Sequence, residues 1–140
     1  MTEIDWKARL QEELDRPPFN RWLAPVALSV DPEAGSIEVL LPYRPEFSHH
    51  PTEAIFHGGV LAALADVAGH AVVAVFHGKP TPTITLQIDY LAPAAGAAVH
   101  ARGLLRKLGR SISRADVELR CGDRLVAIAR GSFSTQERAG

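Results

Sequence analysis

Asp66 stands out in the sequence because it lies among Leu64, Ala65, Val67 and Ala68 in the middle of a long apolar segment. A carboxylate in such surroundings needs a compensating partner or a chemical task. Apolar surroundings favour proton uptake by a carboxylate, which suits a general base. The alternative is a helix face that emerges at the surface or at a subunit interface, where the carboxylate meets water or a cation.

A second group of interest directly precedes this segment and consists of His57, Gly58 and Gly59. Two glycines leave backbone N–H groups uncovered at the positive end of a helix dipole, which is typical of an anion or oxyanion site. A tight loop-to-helix turn would use the same residues. The presence of Asp66 about two helical turns after Gly58 favours the oxyanion interpretation.

His70 follows Asp66 by four residues and shares its helix face, so the two side chains can meet. A local ion pair and a catalytic partnership both fit this spacing. A metal site is disfavoured because the sequence has no His-Glu-x-x-His or paired-cysteine spacing. We expect neither a metal nor another cofactor, although the candidate ligands would be His49, His50, His57, Asp66 and His70.

Charge and cysteine content narrow the class of protein. The 140 residues carry a net charge of -1, without the basic excess that nucleic acid attracts. Residues 101–140 nevertheless hold nine Lys and Arg against four Asp and Glu, which indicates either ordinary surface charge or a seat for a small polyanion. A single cysteine, Cys121, and an N-terminus without a signal-peptide pattern predict a cytoplasmic protein.

The residues of interest lie in a segment, 58–77, that is predicted to form one long helix. Its length would suffice to cross a membrane, but two ionisable residues near its middle would each cost about 2.5 to 3.5 kcal/mol in a bilayer. We therefore predict a helix buried in the core of the protein and no membrane partner. Its many small residues would let other backbone approach closely.

The remaining elements are predicted from periodicity and turn signals. Residues 1–18 form a short N-terminal helix, capped by Thr2 and ended by Pro17 and Pro18. Residues 26–30 and 36–41 form a first hairpin. Four further strands follow the long helix, and their short links require them to be antiparallel; these strands are 83–90, 97–108, 114–121 and 125–133. The prediction is one α+β domain over 1–140, with a curved antiparallel sheet of about six strands around one central helix.

Four segments carry a family resemblance: HGGVLAALAD at 57–66, TITLQIDYLAP at 83–93, KLGRS at 107–111 and RLVAIARGSF at 124–133. With them, roughly residues 20–135 resemble the hotdog-fold acyl-CoA thioesterases of the phenylacetate-degradation (PaaI-like) type. The resemblance implies that the chain hydrolyses the thioester of an aryl- or medium-chain acyl-CoA. It also implies homodimers or homotetramers whose active sites lie between subunits.

The same resemblance assigns catalytic roles within the motif that begins at His57. It implies that Asp66 acts as nucleophile or general base, and that the backbone N–H of Gly58 polarises the thioester carbonyl. A hydroxyl matching Thr83, contributed by the partner subunit, would help to place the attacking water.

The resemblance further implies a set of substrate-binding residues. Gly59 lies beside the thioester, and His70 falls where some relatives carry a water-positioning side chain. The phosphates of CoA would approach the segment that contains Lys107, Gly109, Arg110 and Ser111.

One position departs from the family pattern. Many relatives carry an amide side chain six residues before the histidine, where this chain has Pro51, and His50, Thr52 or Glu53 are the candidate replacements. Two other functions therefore stay open, namely a non-catalytic acyl-CoA-binding module and a hotdog-fold hydratase or dehydratase.

Overall fold

A computed structural model describes residues 3–137 of the chain, as a six-stranded antiparallel sheet that curves around one long helix. The predicted α+β architecture is thus confirmed. In chain order the elements are α1 (Trp6–Asp15), α2 (Pro18–Leu23), β1 (Val26–Asp31), β2 (Ser36–Pro42), a 3₁₀ turn (Pro45–Phe47), α3 (Gly58–His77), β3 (Thr83–Tyr90), β4 (Ala98–Lys107), β5 (Ile112–Cys121) and β6 (Arg124–Ser134).

The helix α3 has the predicted bounds, because its apolar residues are covered by the inner face of the sheet. The sheet comes very close to the helix at Gly103 of β4, where a Cβ atom would lie 3.1 Å from the carbonyl oxygen of Ala68. The helix ends at Gly78, which adopts a left-handed conformation with φ 87° and donates its N–H to Ala74. By length and composition alone α3 could cross a membrane, whereas in this fold it is the core helix.

The strand order is β1-β2-β4-β5-β6-β3, with every neighbouring pair antiparallel. The predicted antiparallel arrangement of the four strands after α3 is thus confirmed. Of these strands, β4, β5 and β6 pair in sequence order, whereas β3 pairs with β6 at the edge of the sheet. The reason lies in residues 91–97, which do not form a tight turn but cross the N-terminal end of α3. There the Phe56 N–H donates a 2.9 Å hydrogen bond to the carbonyl of Ala94.

The N-terminal region differs from the prediction at both ends of its helix. The cap of α1 is Asp5, whose side chain accepts a hydrogen bond from the Ala8 N–H; the predicted cap, Thr2, lies outside the described residues. The helix ends at Asp15, and Pro18 then opens a second helix, α2. Proline is well suited to the first position of a helix, so the two prolines separate two helices here.

The two edges of the sheet are treated differently. At β1, the Gln11 side chain of α1 accepts a hydrogen bond from the Ala27 N–H and donates one to the Pro25 carbonyl. At β3, the outer edge pairs with no other strand of residues 3–137, and Ile84 and Tyr90 are 53% and 52% exposed. The edge at β3 is thus the one that remains open to another chain.

One stripe of residues along α3 is not covered by the sheet and is partly exposed. Its members recur every three or four residues and so share a helix face; they are Gly59, Ala62, Ala63, Asp66 and His70. The candidate carboxylate therefore points away from the core.

Candidate active site

Asp66 is held by Thr83, the first residue of β3. The Thr83 hydroxyl donates a 2.6 Å hydrogen bond to Oδ1 of Asp66, while Oδ2 has no hydrogen-bond partner among residues 3–137. This contact lies within one chain, whereas the resemblance placed the hydroxyl on a partner subunit. The start of β3, where the register with β6 shifts between Thr83 and Thr85, thus lies beside the middle of α3.

His70 does not hydrogen-bond to Asp66, although their spacing allowed it. Instead, its Nε2 accepts a 3.2 Å hydrogen bond from the backbone N–H of Thr81. Burial lowers the pKa of His70, against the opposing charges of Glu13 and Asp66, so the ring is neutral at neutral pH. The two side chains predicted to meet each other thus both hold the segment 81–83.

The start of α3 offers one free donor rather than two. The Gly59 N–H donates a 2.8 Å hydrogen bond to Nδ1 of His57, and the His57 carbonyl accepts from Val60 and Leu61. Only the Gly58 N–H is left without a partner in the described chain. His57 therefore acts as the helix cap and leaves the Gly58 N–H as the free donor at this end of α3.

Tyr90 fixes the position of Gly58. Its hydroxyl donates a 2.7 Å hydrogen bond to the Gly58 carbonyl, and a Cβ atom at position 58 would lie 3.4 Å from the Tyr90 ring. This distance is an ordinary van der Waals contact, so a small side chain could be accommodated against the ring. The hydrogen bond from Tyr90 is therefore what holds the first residue of α3 in place.

A cleft of about 590 Å³ opens beside Gly58. It is mainly apolar and is lined by His49, Ile55, Phe56, His57, Gly58, Leu61, Tyr90, Leu91, Ala92, Pro93 and Ala94. The residues suggested as replacements for the missing amide, His50, Thr52 and Glu53, do not line it. Nδ1 of His50 instead accepts hydrogen bonds from the backbone N–H groups of Thr52 and Glu53, which fixes the loop.

His49 is a polar residue of this cleft that the sequence had offered only as a candidate metal ligand. Its backbone N–H donates to the Ile55 carbonyl, which holds residue 49 close to the strand-like bridge between Ser48 and Phe56. The only signal in the sequence was its place in a histidine pair, and the loop conformation alone decides which member of the pair reaches the cleft.

The turn between β4 and β5 is held rigidly. The Gly109 N–H donates to Oγ of Ser113, and the Gly109 carbonyl accepts a 2.6 Å hydrogen bond from the Thr135 hydroxyl. A Cβ atom at position 109 would collide with the carbonyl oxygen of Ile112. The glycine of the predicted CoA segment is therefore a structural requirement of this turn.

The same turn lies at the end of the sheet where Thr83 meets Asp66. The Ser111 carbonyl accepts from the Thr135 N–H, and the neighbouring Ser134 N–H donates to the Pro82 carbonyl. Lys107, Arg110 and Ser111 are all exposed. The predicted CoA-binding residues thus lie at the same end of the sheet as Thr83, with their side chains exposed.

A larger cleft, of about 720 Å³, lies on the outer face of the sheet and contains neither Asp66 nor Gly58. Its centre is Asp116, which accepts 2.6 Å hydrogen bonds from Arg106 and Arg130. These paired charges satisfy one another, so size alone does not make this cleft the reaction site. Within residues 3–137 no three His, Cys, Asp or Glu side chains come together as a possible metal site.

Comparison with known proteins identifies the family to which this chain belongs. The family described as the thioesterase superfamily matches residues 54–128. A protein of Halobacterium salinarum that is named as an esterase is 30% identical over 115 residues, which are 74% of this chain and 76% of that protein.

Two solved structures extend the match over most of the fold. A phenylacetic acid degradation-related protein of Ralstonia eutropha is 27% identical with a TM-score of 0.79, covering 92% of this chain and 98% of that one. A point variant of the phenylacetic acid degradation protein PaaI of Thermus thermophilus is 30% identical with a TM-score of 0.71, covering 84% and 98%. The chain therefore belongs to the thioesterase superfamily and is a thioester hydrolase with the hotdog fold.

Proposed function

We propose that the chain hydrolyses the thioester of an aryl- or medium-chain acyl-CoA. The observation that carries this proposal is the Asp66 carboxylate, which Thr83 holds through one oxygen and which leaves the other oxygen open on the exposed stripe of α3. The free Gly58 N–H supplies the complementary donor. Two relatives are named for phenylacetic acid degradation, and these names support an aryl rather than an alkyl acyl group.

One chain does not bring these two groups to the same carbonyl. Gly58 and Asp66 are eight residues apart on α3, which separates them by about 12 Å along the helix axis. A thioester carbon needs donor and base within a few ångströms of each other. We therefore infer that the Gly58 of one chain works with the Asp66 of a second chain.

The exposed stripe of α3 suits such an assembly. Two antiparallel α3 helices that place Gly58 opposite Asp66 would be related by a two-fold axis near residue 62. Ala62 and Ala63 lie there, half-exposed and small enough to let two helices come close. Thr83 belongs to β3, and the outer edge of this strand is open. Two chains can therefore also join their sheets along β3.

In the reaction, water attacks the thioester carbon while Asp66 removes one of its protons. Negative charge develops on the carbonyl oxygen, where the Gly58 N–H stabilises it; loss of such a donor typically costs about 2.7 to 4 kcal/mol. Collapse of the intermediate breaks the C–S bond, and the thiolate takes up the proton to leave as free CoA. Direct attack by Asp66 gives an anhydride that water then hydrolyses, with the same overall products.

The two ends of the substrate have different requirements. The apolar cleft beside Gly58 suits an acyl group, because Ile55, Tyr90 and Leu91 offer exposed surface that an aryl or alkyl chain can bury. The exposed cations Lys107 and Arg110 suit the phosphates of CoA.

The test is release of free thiol from a panel of aryl and medium-chain acyl-CoAs. Asp66→Asn keeps the size of the side chain but removes the base, so kcat falls at least about a hundredfold while substrate binding survives. Asp123→Asn, in the exposed turn after β5, is the matched control and leaves the rate unchanged. An Asp66→Asn enzyme with near wild-type turnover would remove Asp66 from the mechanism.

The same panel separates the alternatives. Binding of CoA esters without cleavage would identify a non-catalytic acyl-CoA-binding module. A hydratase would need a histidine free to exchange protons with substrate, and the Nε2 of His70 is already occupied by the Thr81 N–H. This contact disfavours His70 as that histidine, and hydration of an unsaturated acyl-CoA without release of thiol would identify a hydratase.

A further inference from the structure

A ring of hydrogen bonds that begins and ends at Gly109 closes the turn between β4 and β5. The Gly109 N–H donates to Oγ of Ser113 at 3.0 Å, and the Ser113 hydroxyl donates to Oγ1 of Thr135 at 3.3 Å. The Thr135 hydroxyl then donates to the Gly109 carbonyl at 2.6 Å. Because a backbone N–H only donates and a carbonyl only accepts, each hydroxyl of the ring donates once and accepts once. The direction of every hydrogen bond in the ring is thus determined.

The two hydroxyl groups of this ring are removed from solvent. Ser113 has no exposed surface, and Thr135 is 3% exposed. Loss of either hydroxyl would leave a partly buried backbone group of Gly109 without its partner, which favours a displaced turn in which that group meets water. The ring therefore holds the turn in one conformation.

Thr135 holds this turn on both sides of Arg110. Its hydroxyl donates to the carbonyl of Gly109, and its backbone N–H donates to the carbonyl of Ser111 at 2.9 Å. The side chain of Arg110 is itself exposed. The backbone from which the guanidinium projects is thus fixed by one residue, while the guanidinium stays accessible.

The end of β6 connects the same turn to the candidate carboxylate. Phe133 pairs with Thr83, and the Ser134 N–H donates to the Pro82 carbonyl at 2.8 Å. Thr83 in turn donates to Asp66. The last residues of β6 and the residue that follows them therefore contact both the start of β3 and the turn between β4 and β5, which fixes the distance between the turn and the carboxylate.

We propose that Thr135 is a positioning residue for the nucleotide end of the substrate: through its two contacts with the turn, it holds Arg110 where the guanidinium meets a phosphate of CoA. The proposal rests on the function proposed above. An arginine on a fixed backbone loses less freedom on binding than one on a mobile turn, so the ring lowers KM without taking part in the chemistry. Thr135 lies outside residues 54–128, so the family match does not include this element.

The experiment compares Thr135→Val with wild type in steady-state release of thiol from an acyl-CoA. Valine keeps the shape of the side chain but removes the hydroxyl, so KM should rise about fivefold, the size of one net hydrogen bond, while kcat stays nearly unchanged. Thr135→Ser keeps the hydroxyl and should have a KM close to that of wild type. Thr85→Val, the same exchange at an exposed threonine of β3, should change neither quantity.

Two comparisons separate positioning of Arg110 from a general loss of stability. Wild type and Thr135→Val should hydrolyse a pantetheine thioester without the nucleotide equally well, whereas a damaged fold would impair both substrates. In an Arg110→Ala background, Thr135→Val should raise KM for the acyl-CoA no further, because the contact that it positions is already absent. Equal impairment on both substrates would overturn the proposal, and so would additive increases in the double variant.

Ser113→Ala breaks the ring at a second point and provides the test if Thr135→Val does not fold. It should also raise KM for the acyl-CoA but not for the pantetheine thioester.

Calorimetric binding of free CoA gives a readout that needs no turnover. Its affinity for Thr135→Val should be about fivefold weaker than for wild type and should be restored in Thr135→Ser. An unchanged affinity would overturn the role of Thr135 while leaving thioester hydrolysis intact. Failure of the wild-type enzyme to cleave any thioester would instead overturn the proposed function.

Discussion

The hydroxyl of Thr83 and the carboxylate of Asp66 are joined by a 2.6 Å hydrogen bond between the edge strand β3 and the central helix α3. A short hydrogen bond to a carboxylate fixes the plane of that group and satisfies one of its oxygens. The second oxygen then has a defined direction in which to meet water. The edge strand thus orients the carboxylate on the core helix.

Removal of this hydroxyl should slow hydrolysis. We expect Thr83→Val to lower kcat about tenfold or more, because a hydrogen bond to a charged group contributes about 1.5 to 3 kcal/mol. Thr83→Ser should retain most of the rate. Thr85→Val, an exposed threonine on the outer face of the same strand, is the control in steady-state thiol release. Equal kcat values for Thr83→Val and wild type would show that the contact has no part in catalysis.

Arg110→Ala should raise KM for CoA esters roughly tenfold, because a charge-assisted contact to phosphate is worth about 1.5 to 3 kcal/mol. The phosphate is remote from the thioester, so kcat should stay nearly unchanged. The effect should weaken with added salt. The exposed Arg124, replaced by Ala, serves as the control.

A pantetheine thioester without the nucleotide gives the sharper comparison for Arg110. Wild type and Arg110→Ala should hydrolyse this short substrate equally well. A mutant equally unimpaired on the full CoA ester would make Arg110 an ordinary surface charge.

A site shared between two chains predicts complementation. Gly58→Pro removes the N–H donor at a helix position that tolerates proline, and Asp66→Asn removes the base, so each variant alone should be nearly inactive. Mixed dimers contain one site with both native groups, and random pairing should restore about a quarter of wild-type activity. Light scattering should give at least twice the 15.1 kDa chain mass. Hybrids no more active than the separate variants would place each site within one chain.

The outer face of the sheet should contribute to stability at neutral pH. The hydrogen bond from Arg130, together with that from Arg106, lowers the pKa of Asp116 from 3.8 to about 2. Because the folded pKa lies below the unfolded one, the stabilisation is complete above about pH 4 and disappears as the pH falls toward about 2. Asp116→Asn should therefore reduce the free energy of unfolding by about 1 kcal/mol at pH 7, a modest value because solvent partly screens the pair. The reduction should be much smaller at low pH, where Asp116 is protonated. Urea unfolding at both pH values, with Asp123→Asn as control, checks this; an equal loss at both would contradict it.

The candidate site was predictable where its residues are close in sequence. Asp66 is conspicuous because a carboxylate in an apolar helix is costly, and Gly58 because glycine before a helix exposes backbone donors. The capture of the Gly59 N–H by His57 was not predictable, since it depends on the rotamer of one exposed ring. For the same reason, the sequence could not show which histidine of the loop lines the cleft.

The sequence by itself determined the bounds of α3 and the approximate spans of all six strands, because apolar periodicity and turn residues act over a few neighbouring positions. Only the tertiary structure decided that β3 pairs with β6, that Thr83 meets Asp66, and that His70 accepts from Thr81. These contacts join residues 11 to 50 positions apart in the chain. The residue pattern predicts a curved sheet, but which distant residues the curvature brings together depends on the packing of the whole sheet around its helix.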